Sequence, residues 1–225
     1  MVAQPIPIGV RLASGITLRG HEWSEDGPPV LFVHDLGGDL DDWGSTPATL
    51  ARSGFRVMSV ELRGHGLSDG EPDPSLVVDD VKDLVSGVAG PFGPVALVVC
   101  GSVSEAALYL SKDFGSPVQI MVSPQPLDPA GIDWPTTTYA LRLLAVGANN
   151  ETAHGYARDM YPKMHGQNLW ASTGTTDQGP ALLAEHPSMV EQVVMFIRRY
   201  LTGHHLAWIA EHVDEIKSSA EQSDS

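Results

Sequence analysis

The stretch VVCGSVSEAA, residues 98–107, ends an apolar run in a cluster of small residues and then opens a helical pattern. A strand that turns directly into a helix through small residues can present a serine nucleophile above a sheet, and Ser102 lies at the centre of this turn. A serine there can also simply open a helix, so the turn has to be read with its neighbours.

On both sides of it, short apolar runs alternate with amphipathic stretches. Buried-strand candidates are PVLFVH (29–34), FRVMSVEL (55–62), PVALVVC (94–100), PVQIMVS (117–123), ALRLLAVG (140–147) and a weaker NLWAS (168–172). Helical patterns fit between them at 76–89, 103–113, 151–161 and 187–201, the last opened by Pro187. Ahead of these, IPIGVRLA (6–13) and GITLRGHEW (15–23) alternate strictly around Ser14-Gly15, the pattern of an antiparallel hairpin feeding the sheet. The order predicts an α/β fold: a mostly parallel sheet of about eight strands with helices on both faces.

Composition agrees. The chain has 225 residues, 42% of them hydrophobic and 18% charged, enough to bury a sizeable core. Its formal charge of −15, from 28 acidic against 13 basic residues, disfavours nucleic acid and anionic membrane surfaces as partners. The lone Cys100 excludes an intramolecular disulfide and a four-cysteine zinc site, and no motif asks for a cofactor. MVAQPIPIGV has no signal-peptide pattern and no run is long enough to span a bilayer, so a cytoplasmic location is expected.

The expected organisation is one domain over 1–202 and a C-terminal helical extension with a polar tail over 203–225. In that extension Leu206, Ile209, Val213 and Ile216 recur at helical spacing. The stripe suits packing on its own domain or a homodimer contact. The final KSSAEQSDS is expected to be disordered. His204 and His205 are neighbours and point to different sides of a helix, so no metal site is expected.

In a parallel sheet, functional groups gather on the loops at the carboxyl ends of the strands. Those loops are HDLGGDLDDW (34–43), ELRGHGLSDG (61–70), CGSVSEAA (100–107) and GANNETAHG (147–155). Together, and in this order, they resemble the α/β-hydrolase family from about residue 8 to about residue 202. HDLGG resembles the His-Gly-x-Gly oxyanion loop, ELRGHGLSDG the Asp-x-Arg-Gly-His-Gly-x-Ser turn, and CGSVS the Gly-x-Ser-x-Gly nucleophile elbow. The tail STGTTDQGPALLAEHPSMVEQVVMFIRRYL is similar to the family's last strand, catalytic His-Gly loop and last helix.

The resemblance implies Ser102 as nucleophile and the amides of Leu36 and Val103 as oxyanion-hole donors. It places Asn150, with Glu151 beside it, at the catalytic acid, and Gln178 at the catalytic histidine. An amide cannot accept a proton near neutral pH, so Gln178 cannot serve as general base. Asp35 replaces the glycine after His34, and a carboxylate there opposes the charge that an oxyanion loop stabilises. Only PQPLDPAGIDWPTTTY (124–139) stands where many members carry a helical lid, so the lid is minimal. Trp134 is a candidate roof for a shallow pocket shared with His34 and Asp35.

Other histidines could in principle be recruited as base. His34 stands at a strand end and His65 in the Arg-Gly-His-Gly turn, both positions suited to bracing loops. His154, His165 and His186 lie further along. Losing the base of a serine triad costs about a millionfold in turnover. The expected function is therefore a non-catalytic or very weak hydrolase relative whose pocket takes a small ester- or acyl-type ligand. The alternative is an active carboxylic-ester hydrolase, an esterase or lactonase, using Ser102 with a recruited histidine and Glu151. Restoring Asn150→Asp and Gln178→His together is expected to raise ester turnover.

Overall fold

The computed structural model of the protein describes residues 4–110, 115–127 and 140–223. Eight strands form one sheet: β1 (Ile6–Arg11), β2 (Thr17–Glu22), β3 (Pro29–Val33), β4 (Arg56–Val60), β5 (Ala96–Cys100), β6 (Val118–Val122), β7 (Ala140–Gly147) and β8 (Gly166–Thr173). Their order is β1-β2-β4-β3-β5-β6-β7-β8. β1 and β2 are antiparallel to their neighbours, whereas β4, β3, β5, β6, β7 and β8 run parallel.

The central strands are buried on both faces, which is why they read as continuous apolar runs. Alternate residues nevertheless serve two different cores. Leu31 and Val33 join Val81, Leu84 and Val85 on one side, while Val30 and Phe32 join Leu50, Val193 and Ile197 on the other. The first core is closed by α2 (Val77–Phe92), α3 (Ser104–Leu108) and α4 (Glu151–Met160), the second by α1 (Thr46–Arg52), α5 (Ala181–Ala184) and α6 (Pro187–Ser223). Replacing a filled position such as Phe32, which is fully buried, by alanine should cost about 3–5 kcal/mol.

Some elements differ from those the sequence predicts. α1 follows a loop so rich in Gly and Asp that its short apolar face escapes periodicity; its first turn holds Pro47, where a missing N–H costs nothing. α2 runs past the predicted 89 and through Pro91 to Phe92, ending at Gly93 with φ +84°. α3 spans five residues. α6 continues to Ser223, so the tail through that residue is helical rather than disordered, with one non-helical residue at His212. Ala220, Glu221 and Gln222 are themselves good helix formers. Within the extension, Trp208 lies against Gly93, where an added Cβ would come within 2.7 Å of the indole, so this part of α6 returns to the end of α2. Among the described residues no helix is long and apolar enough to cross a membrane.

The chain leaves β3 through α1 to reach β4, then returns through α2 to β5 on the other side of β3. At this reversal the loops after β3 and β5 emerge side by side, with Val33 opposite Val99 in the ladder. A crevice between neighbouring strand ends of this kind is where α/β sheets place their ligands.

Candidate active site

The loop after β3 is held from below by two imidazoles. His34 is fully buried, with Nδ1 2.7 Å from the Asp35 carbonyl oxygen and Nε2 accepting the Leu62 amide at 3.0 Å. Glu61 Oε2 lies 2.9 Å from the same Nε2, and Glu61 Oε1 accepts the Leu40 amide at 3.3 Å. Burial pushes the Glu61 carboxyl up, but His34 and the Leu40 amide outweigh it and hold the group below the usual carboxylate value. His65 is used likewise: Nδ1 is 2.8 Å from the Arg63 carbonyl and Nε2 accepts the Gly37 amide at 3.1 Å. Arg63 in turn grips Asp80 of α2 with two nitrogens, at 2.7 and 2.6 Å. Both imidazoles are therefore spent on fixing loops.

That bracing sets the direction of Asp35. Its Oδ1 accepts three hydrogen bonds: the Leu36 amide at 2.9 Å, the Ser102 amide at 2.8 Å and the Ser102 hydroxyl at 2.7 Å. The two amides that converge are those of Leu36 and Ser102, one residue earlier in the second loop than the Leu36–Val103 pair expected. The backbone tells the same story. Gly101, not Ser102, takes the left-handed conformation at the strand-to-helix turn, with φ +55°. A Cβ built on Gly101 would fall 1.7 Å from Asp35 Oδ2. The Asp35 carboxylate thus occupies the space that a side chain at residue 101 would claim.

Among the described residues the Ser102 hydroxyl bonds to Asp35 and to no histidine nitrogen. Cys100, the remaining sulfur nucleophile nearby, is fully buried, and burial with the Asp35 charge pushes its thiol well up.

The other half of the site lies at the ends of β7 and β8. Asn150 caps α4, its Oδ1 accepting the Ala153 amide at 3.0 Å. Its Nδ2 donates to the Thr176 carbonyl at 3.0 Å and to Gln178 Oε1 at 3.1 Å. The residues that the resemblance places at the acid and histidine positions therefore meet, as two neutral amides. Glu151 is the exposed first residue of α4, and the side chain that reaches Gln178 is Asn150.

His186 takes a different partner. Its Nε2 is 2.7 Å from Asp177 Oδ2, which also accepts the Thr175 hydroxyl at 2.8 Å. His186 foremost, then Thr175, holds the Asp177 carboxyl below its usual value. This pair closes the loop that carries Gln178, and no sequence motif announced it. His154 stands edge-on to Trp170 at 5.3 Å between centroids. Trp134, with the rest of residues 128–139, lies outside the described residues.

Comparison with known proteins agrees with this architecture. A family model described as alpha/beta hydrolase fold matches residues 28–98. The bifunctional esterase/perhydrolase DCH of Acinetobacter calcoaceticus is 30% identical over 114 residues, which make up 48% of this chain and 41% of that enzyme. The match takes in less than half the length of that relative. Among solved structures, the Pyrococcus furiosus esterase Pf2001 superposes with a TM-score of 0.69 at 12% identity, over 88% of this chain and 91% of that one. The dienelactone hydrolase of Anabaena variabilis does so with 0.67 at 14% identity, over 89% and 100%. At such identities the structural likeness speaks for the fold.

Proposed function

This chain has the α/β-hydrolase fold, and on that premise we propose that it is non-hydrolytic or very weakly hydrolytic and that its candidate site holds a small ester- or acyl-type ligand without turning it over. The observation that carries this reading is Asp35 Oδ1 on the Leu36 and Ser102 amides. In this fold the oxyanion hole is built from the amide after the nucleophile and an amide of the loop after β3. With Ser102 supplying the first, residue 101 is the nucleophile position and it is a glycine. The donors that would stabilise a tetrahedral oxyanion are already taken by the Asp35 side chain. Asn150 and Gln178 keep the mutual hydrogen bond of an acid–base pair and supply neither acid nor base. Asn150 spends both its N–H groups on Thr176 and Gln178, and the donors left to hold a carbonyl ligand are those of Gln178 Nε2. A cytoplasmic location belongs to the same proposal.

The test is covalent labelling with a fluorophosphonate probe at neutral pH. The expected result is no labelling above that of a heat-denatured control. Rapid labelling abolished by Ser102→Ala would overturn the proposal in favour of an active esterase or lactonase.

A further inference from the structure

A second groove lies away from the elbow, on the opposite flank of the sheet, between α1 and α6. It has a volume of about 380 Å³, at the lower end of what small-molecule sites use. One wall is a single face of α6: Val190, Val194, Met195 and Arg198 follow one another at helical spacing. Met195 is 60% exposed, an unusual outlay of apolar surface beside a cleft. From Val190 to Arg198 the helix rises about 12 Å. The facing wall comes from α1 and the residues flanking it, including Thr46 and Ser53.

The charge at the Arg198 end narrows the occupant. Arg198 spends one N–H on the Ser53 carbonyl at 2.9 Å, and among the described residues no carboxylate pairs with it. Arg11, Arg19, Arg52, Arg142 and Arg199 also have no carboxylate partner among the described residues, so what sets Arg198 apart is its place at the end of an apolar groove. Its remaining donors suit a carboxylate. Glu191, the acidic residue of the groove, lies about two helical turns away and leaves that end positive.

We propose that this groove binds an unbranched aliphatic carboxylate, with the head group on Arg198 and the chain along Met195, Val194 and Val190. The site is separate from the elbow and does not depend on whether the elbow is catalytic.

Calorimetric titration of the intact chain with sodium decanoate, and in parallel with 1-decanol, tests it below the micellar range. Saturable decanoate binding is expected, roughly tenfold or more tighter than decanol, as a charge-assisted contact implies. Arg198→Ala should erase the preference for acid over alcohol. Met195→Glu should weaken both ligands, decanoate the more because the new carboxylate stands one turn from Arg198, and Arg199→Ala, at an exposed guanidinium outside the groove, should change neither. Both groove substitutions sit at exposed positions and leave the fold intact. Absence of saturable binding, an acid preference that survives Arg198→Ala, or loss of binding with Arg199→Ala would overturn the proposal. So would a change of sedimentation mass with Met195→Glu, which would make the groove a contact between copies of the chain.

Discussion

On the proposed reading, the two halves of the candidate site depart from hydrolase chemistry in opposite ways. At the ends of β7 and β8 the change is a subtraction: Asn150 and Gln178 keep the contact and lose the charge and the proton acceptor. At the ends of β3 and β5 the change is an addition: Asp35 brings a carboxylate into the amide cradle while residue 101 gives up its side chain to make room. A subtraction can be reversed in place. An addition has first to be removed.

The largest effect expected follows from that difference. Asn150→Asp with Gln178→His, which the sequence alone recommends as sufficient, should leave short-chain nitrophenyl ester turnover within about tenfold of the starting protein, because charge at the cradle remains. Adding Asp35→Gly and Gly101→Ser should raise turnover by about a thousandfold or more, since triad members act as a unit. Steady-state hydrolysis of nitrophenyl acetate by the two variants decides it, and equal rates would break the comparison.

Smaller, and confined to the first half, is the cost of Gly101→Ser alone. It forces a side chain against Asp35 and a non-glycine residue into a left-handed φ, so urea denaturation should show a loss of about 1–3 kcal/mol. Combining it with Asp35→Gly should recover part of that loss, a non-additivity that a double-mutant cycle measures.

Below the same loop, Glu61 provides a pH signature. Its folded value is depressed, so the stability it contributes is present above the ordinary carboxylate value and is lost as pH falls through the folded one. Glu61→Gln should lower neutral-pH stability by about 1–2 kcal/mol and flatten part of the acid limb of the stability curve. Denaturation midpoints across an acid series test this.

In the second half, Asn150→Ala should cost about 1 kcal/mol through the lost α4 cap, whereas Asn150→Asp, which keeps the cap, should cost less. Thermal melts of the two variants give the difference directly.

The sheet was legible because burial on two faces leaves an unmistakable apolar run, as in Val30–Val33, and because the hairpin alternates. α1 was not, since seven residues after an Asp- and Gly-rich loop carry too little periodicity. At the site, Asn150 and Gln178 could be read from loop position alone. The register of the elbow could not: Cys100, Gly101 and Ser102 are all small, and only the end of β5 decides which residue turns. Asp35 was visible as a charge, but its direction depends on His34 and His65, which fix the loop from residues distant in sequence. The signal available was volumetric: one side chain gained at 35 and one missing at 101.

That exchange of volume also bears on how the site can change over generations. A serine arriving at 101 while Asp35 remains is crowded, and a glycine arriving at 35 while 101 is bare gains no nucleophile. Each single step back brings strain or nothing for selection to keep. The pair acts as a ratchet, and across descendants of this chain residues 35 and 101 should be found to change together or not at all.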